Sequence, residues 1–198
     1  NTVKVEAYIV FEENGGTAVE DITGIAGEKI TNRNMPTTTR PGYDFKGWYT
    51  NSELTGEAVP NLPETYPAGT TTYYAKWEAR NDTRYKVEHY QQNLSLDGYT
   101  LVDTDNLTGT TGAEATYAAK TYAGFTYKAE LTTPEDKTIL GDGSLVIKLY
   151  YTRNTNTQYK VEHYKQNLSL NGYDLADTDN LTGTTGAEAT YAAKTYAG

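Results

Sequence analysis

His89 and His163 are the side chains of this protein best suited to proton transfer or metal binding, and each lies in the same run, Glu-His-Tyr. A metal centre needs three or four converging ligands, and neither run brings a second one with it. A nucleophilic triad needs a nucleophile, a base and an orienting acid brought together in space, and no local spacing here does that. Both histidines are therefore read as structural. Asp97, Asp103 and Asp105 with Asn106 form a loose acidic group, and Asp174, Asp177, Asp179 and Asn180 form its counterpart. Calcium takes several oxygen ligands at close spacing, but the spacing is not that of an EF-hand. Asp103 and Asp105 would share one face of an extended strand. A solvated acidic surface is expected, with calcium as the alternative. Glycosidase chemistry depends on the separation of two carboxylates, which spacing along a chain does not define.

The aromatic residues offer a different chemistry. Trp48 and Trp77 have faces that stack on sugars, yet both follow strand-like patterns, so core packing is expected. Tyr90, Tyr99, Tyr117, Tyr122, Tyr150 and Tyr151 are too many to be buried together in one small unit. Tyrosine gives contact area at low entropic cost and suits a binding surface. It suits contacts between modules equally well, and both readings stand. Gly15-Gly16, Gly109 and Gly112 lack the strand-to-helix pattern with lysine of a phosphate loop, and read as turn glycines. No residue is assigned a catalytic, cofactor-binding or metal-binding role. No enzymatic activity and no cofactor are expected.

What must position these residues is a repeat. Tyr85 to Gly124 returns as Tyr159 to Gly198, 74 positions later, with 36 of 40 positions identical. The differences are Gln91/Lys165, Asp97/Asn171, Thr100/Asp174 and Val102/Ala176. Copying at a fixed period indicates an array of small modules rather than one globule. Each unit then has a thin core, since a domain of about 60–70 residues buries only roughly 60% of its unfolded surface. Nineteen tyrosines partly offset the modest hydrophobic content of 37%. The net charge of −9 is spread evenly and leaves no basic patch, which argues against nucleic acid. Cysteine is absent, which excludes disulfides and thiolate chemistry. No stretch reaches about 18 apolar residues, so this segment is not expected to insert in a membrane.

Alternation places the strands. Val3, Val5, Ala7 and Ile9 alternate with Lys4, Glu6, Tyr8 and Val10, and a turn follows at Glu13 to Gly16. A short strand is expected near Thr17–Ile22, and a short helix or brief strand between Gly24 and Met35. Pro60, Pro63 and Pro67 rule out a central strand between Gly56 and Gly69. Thr70 to Glu78 closes the unit. In the next unit, Tyr85, Val87 and His89 share a face, and an extended segment runs from Gly98 through Leu107. Ala113 to Lys120 is expected to be a short helix, because Ala115, Ala118 and Ala119 favour it. Phe125 begins a third strand. Leu145 to Tyr151 is expected to be interior, being apolar on both faces. The boundaries are a module at 1–79, a linker at 80–84, a module at 85–153, a linker at 154–158 and an incomplete copy at 159–198. The last copy stops 29 residues short of the one before it and is expected to lean on a neighbour or to be followed by disorder or cleavage.

Two families are similar to these segments. Residues 1–79 resemble the Listeria–Bacteroides repeat, which includes the B repeat of internalins. The matching features are Val5–Phe11, Asn14-Gly15-Gly16, Pro36, the run Arg40 to Tyr49, and Tyr73-Tyr74-Ala75-Lys76-Trp77. Residues 85–153 and 159–198 resemble the MucBP (mucin-binding protein) repeat, through Tyr85 to Tyr90, Leu107-Thr108-Gly109 with Gly112, Tyr122 to Phe125, and Val146 to Tyr151. The resemblance implies a strand-dominated α+β fold, with tandem β-grasp-like (ubiquitin-like) modules in an extended array, each a small mixed sheet curled over a short helix. It also implies an exported protein of mainly Gram-positive bacteria, extracellular and often anchored to the cell wall. The function this implies is a non-enzymatic stalk or spacer projecting an adhesive domain. The alternative is direct binding of mucin or another host glycoprotein. The expected partners are neighbouring repeats and that host glycoprotein.

Overall fold

A computed structural model describes residues 3–198, so Asn1 and Thr2 of the expected first module lie outside the described residues. The described residues form ten strands: β1 (Glu6–Glu12), β2 (Ile22–Ile25), β3 (Tyr43–Tyr49), β4 (Gly69–Ala79), β5 (Thr83–Gln92), β6 (Tyr99–Gly109), β7 (Phe125–Tyr127), β8 (Val146–Arg153), β9 (Thr157–Gln166) and β10 (Tyr173–Gly183). They make two four-stranded sheets, β2-β1-β4-β3 and β6-β5-β8-β7, and a two-stranded sheet of β9 and β10. The two larger sheets share one topology despite their different sequences. In both, the first and last strands are the central pair and run parallel.

The expected α+β fold is overturned. No α-helix forms among the described residues, and the helical content is one 3-10 turn at Ala129–Leu131. A β-grasp needs a helix across its sheet, and none is there. Ala113 to Lys120 runs as irregular extended chain instead. Its backbone groups are taken by distant partners. Ala115 N–H donates to the Lys137 carbonyl (2.9 Å), Ile139 N–H donates to the Ala113 carbonyl (2.9 Å), and Lys120 N–H donates to the Tyr151 hydroxyl (2.9 Å). Groups satisfied this way cannot also form the i to i−4 ladder, and tertiary bonding overrides the alanine propensity.

The first sheet is covered by coil where a helix was expected. The segment between β2 and β3 and the one between β3 and β4 hydrogen bond to each other: Ile30 N–H to the Glu64 carbonyl, Leu62 N–H to that of Arg33, Tyr66 N–H to that of Glu28. They lower Ile30 and Leu62 onto Ile9, Phe11, Trp48, Tyr73 and Ala75. Gly24 to Met35 therefore holds neither alternative in full, only the end of β2, a turn and isolated bridges at Lys29 and Asn34. The second strand also begins at Ile22 rather than running over Thr17–Ile22. Thr17 instead hydrogen bonds with Thr38 and Thr39. A bulge between Phe45 and Trp48 lets the neighbours Trp48 and Tyr49 both be buried, which strict alternation forbids.

Grouped by proximity, the residues form two compact units. One holds the described residues through Tyr85 together with Leu107–Ala115 and Lys137–Leu145. The other holds Lys86–Asn106, Thr116–Asp136 and Val146–Gly198. In the first, Tyr85, Ala115, Ile139 and Leu145 are buried in addition to the cluster around Ile9 and Trp48; in the second, Val87, His89, Ile147, Leu149 and Tyr151 are buried.

Candidate functional site

Strand β5 aims Tyr85, Val87 and His89 inward, and His89 is fully buried. A buried imidazole must place both nitrogens. His89 Nε2 lies 3.0 Å from Asp105 Oδ2 on β6, and Nδ1 lies 2.8 Å from the Tyr151 hydroxyl on β8. The carboxylate accepts only, so Nε2 carries the proton. The Tyr151 oxygen already receives Lys120 N–H, and its own proton then goes to Nδ1. Lys120 Nζ spans Asp103 (2.5 Å) and Asp105 (2.6 Å). Tyr122 packs edge-on against Tyr151, and its buried hydroxyl has no partner among the described residues. The sequence separates these residues by up to 62 positions; the fold of three strands and one coil brings them together.

The acidic group divides. Asp103 and Asp105 serve Lys120, while Asp97 caps a loop with Ser95 and Asn93. Asp177 and Asp179 meet Lys194 in the same way in the last copy, where His163 Nε2 sits 2.8 Å from Asp179. Among the described residues no three His, Asp or Glu side chains gather as metal ligands. The arrangement orients a buried histidine and pairs charges.

The Lys120 ammonium holds Asp103 and Asp105 below the usual carboxylate range, with the Thr104 N–H adding to the effect at Asp103 and His89 at Asp105. Folding thus lowers both values. The stability they contribute is present above the unfolded value of about 3.9 and is lost as pH falls through the lower folded values. Thermal unfolding followed from pH 5 to pH 2 should show this loss, and Lys120→Met should shrink it.

Trp48 is buried, its indole N–H donating to the Pro36 carbonyl at 2.8 Å. Trp77 is half-buried and donates to the Glu13 carbonyl at 2.8 Å. The tyrosines separate by face. Tyr151 is core. Tyr90, Tyr150 and Tyr99 form a half-buried run on the other face of the second sheet, with ring centroids 5.4 and 5.0 Å apart. Glu88 accepts from the Tyr90 hydroxyl and, with burial, pushes its pKa up to about 12. Tyr117 is exposed.

Sequence reasoning missed a second constellation, and it occurs twice. Gly42, just before β3, has φ +77°, and its carbonyl accepts from Arg80 N–H at 2.9 Å. The Arg80 carbonyl in turn accepts from Thr111 N–H at 2.9 Å. The Thr111 hydroxyl donates to the Gly42 carbonyl (2.9 Å) and so receives the Thr83 hydroxyl (2.6 Å). Both threonines are buried. Gly124, just before β7, has φ +78°; its carbonyl accepts from Asn154 N–H (2.8 Å), the Asn154 carbonyl accepts from Thr185 N–H (2.9 Å), and Thr185 meets Thr157. The residue two places after each glycine, Asp44 or Thr126, bonds the side chain of Arg80 or Asn154. The second occurrence gains Arg153, which stacks over Phe125 and donates to the Thr185 carbonyl at 2.7 Å. The available signals were Thr83/Thr157 and Thr111/Thr185 at the 74-residue spacing, and glycine before an aromatic residue in both kinds of module.

This clasp closes on the run Arg40 to Tyr49, the most distinctive stretch of the first sheet. Residues 8–76 match the Listeria-Bacteroides repeat domain. A 73-residue stretch of the chain is also 40% identical to a protein of Evansella cellulosilytica named as a Gly-rich membrane protein. The match takes in 37% of this chain and spans 8% of that relative's length. No helix among the described residues is long and apolar enough to cross a membrane.

Proposed function

We propose that this chain is a non-enzymatic repeat segment of a bacterial surface protein, in which the modules serve as spacers that carry an adhesive part away from the cell. The observation that carries this reading is the clasp. A Listeria–Bacteroides repeat and a module of different sequence end in the same hydrogen-bonded joint to the next segment of chain. A binding module has no need to copy its joint; a spacer does, because a free swivel at each linker would forfeit reach. The repeat family and the membrane-protein relative accord with a surface location. The MucBP resemblance of residues 85–153 and 159–198 rests on their motifs, and their placement in this reading is as further spacers.

Solution scattering tests the reading. The chain should give a narrow range of dimensions, and the double variant Thr111→Val, Thr185→Val should broaden it. An unchanged profile would remove the joint from the argument. The second reading, binding of mucin or a host glycoprotein, draws on the half-exposed run Tyr90, Tyr150 and Tyr99 with Lys148 beside Tyr90. Under the spacer reading the chain binds immobilised mucin no better than an unrelated acidic protein. Saturable, sugar-competed binding that is lost in Tyr90→Ala would favour the second reading instead.

A further inference from the structure

The chain holds two Asn-Gly pairs, Asn14-Gly15 and Asn171-Gly172, and the fold places them in unlike surroundings. The side-chain amide of asparagine is a weak electrophile, and the backbone nitrogen of the next residue is its nearest nucleophile. Glycine offers that nitrogen with no Cβ to shield it. Two things then decide whether the pair reacts: whether the amide is free to turn onto the nitrogen, and whether its carbonyl is polarised.

Asn14 is tied down. Its Nδ2 donates to the Ala75 carbonyl on β4 at 2.8 Å, across 61 positions of sequence. Arg40 Nη1 donates to the Asn14 carbonyl at 3.3 Å, and a Cβ on Gly15 would stand 3.2 Å from the Arg40 guanidinium. Asn171 is exposed, in the loop between β9 and β10. Its Oδ1 accepts from Asn167 Nδ2 at 3.0 Å, and its N–H donates to Asn167 Oδ1 at 3.3 Å. The first of these bonds draws electron density away from the amide carbon. Asn171 Nδ2, the group that would leave, has no partner among the described residues. In the loop between β5 and β6 the equivalent position already carries a carboxylate, Asp97, which accepts from the Ser95 hydroxyl at 2.5 Å.

We propose that Asn171-Gly172 is a self-modification site, at which the asparagine amide becomes a carboxylate while Asn14-Gly15 is spared. The Gly172 nitrogen attacks Asn171 Cγ. The N–Cγ bond forms as the Cγ–Nδ2 bond breaks, the Gly172 proton passes through water to the leaving nitrogen, and ammonia departs. The cyclic imide that remains takes up one water. Opening at the side-chain carbonyl gives aspartate, and opening at the backbone carbonyl gives isoaspartate, whose main chain runs through the side-chain carbon. The aspartate product reproduces the second module's loop, with Ser169 standing where Ser95 stands, and erases the Asp97/Asn171 difference between the copies. The isoaspartate product adds a methylene to the main chain inside the loop that the Asn167 N–H closes on the Gly172 carbonyl at 3.0 Å, and so displaces that bond. Either product adds a negative charge at the tip of the β9–β10 hairpin.

The test incubates the whole folded chain in mildly alkaline buffer and follows both pairs by protease digestion and mass spectrometry. The peptide containing Asn171 should gain the mass of an amide-to-acid exchange and split into aspartate and isoaspartate peaks, while the peptide containing Asn14 changes far more slowly. In denaturant the two pairs should react at similar rates, because only the fold separates them. Asn167→Asp keeps an oxygen for the Asn171 N–H and removes the donor to Oδ1. It should slow the folded reaction about fivefold, the worth of one hydrogen bond. Equal rates at Asn14 and Asn171 in the folded chain overturn the proposal. So does a difference between the pairs that persists in denaturant, an acid product without isoaspartate, which would mark direct hydrolysis, or an Asn167→Asp chain that reacts as fast as the original.

Discussion

His89→Ala should destabilise the part of the protein that holds β5 and β8 by about 3 kcal/mol, while His163→Ala should cost less than about 1 kcal/mol. The two residues occupy identical local sequence, so propensity and strand chemistry cancel in the comparison. What differs is their surroundings. Removing the His89 ring leaves a cavity in a site with no exposure and strips Asp105 of a donor and the Tyr151 hydroxyl of an acceptor. At His163 only the bond to Asp179 is lost, and the side chain, 10% exposed, is less enclosed than that of His89. A loss of about 3 kcal/mol is a large share of the roughly 5–15 kcal/mol that holds a typical domain. Chemical denaturation followed by hydrogen exchange at Val87 and Ile147 measures the first effect, and exchange at Val161 the second. Equal losses would show that the Tyr151 bond contributes nothing.

Gly42→Ala should open the first clasp at a cost of about 2–4 kcal/mol, from a left-handed backbone and an overpacked contact. A Cβ there would stand 2.5 Å from both the Gly141 Cα and the Thr111 hydroxyl. The Gly141 contact is backbone, which cannot swing aside as a flexible side chain would. The Gly42 carbonyl would shift from Arg80 N–H and from the Thr111 hydroxyl, and the Thr83 hydroxyl would follow. Loss of exchange protection at the Arg80 and Thr111 amides is the expected readout, with the core amides of Ile9 and Tyr73 unaffected. Retained protection at Arg80 would mean that the clasp does not depend on the glycine. Surface ion pairs such as Arg80 with Asp82 and Asp44 should matter far less, since exposed pairs contribute about 0–1 kcal/mol.

The central strands were legible because burial on alternate positions leaves a period of two. Ala7, Ile9 and Phe11 on β1, Tyr73 and Ala75 on β4, Tyr85, Val87 and His89 on β5, and Ile147, Leu149 and Tyr151 on β8 all follow it. The interior place of β8 was legible from another signal, apolar residues on both of its faces. The covering layer was not. Ala113 to Lys120 has the residues of a helix, yet its backbone groups find partners 20 or more positions away, and no local pattern records that. The histidine site was half legible. Its repeat equivalence and its face were plain, but Tyr151 lies 62 residues from His89. The clasp threonines carried only a spacing, in a chain where threonine is common and most of it is exposed.

The parallel pairing of first and last strands has a mechanical consequence. The chain enters the first sheet through β1 and leaves it through β4, and the two run side by side in six register pairs from Ala7↔Gly69 to Glu12↔Tyr74. Tension along the chain therefore draws these strands past each other lengthwise. All six pairs share the load at once in shear, whereas a hairpin pulled at its open end would yield one pair at a time. The pairing of β5 with β8 repeats the arrangement over Lys86 to Gln91. Resistance to stretching is set by the barrier to unfolding rather than by equilibrium stability, so these thin sheets can hold against a pull while remaining only modestly stable at rest.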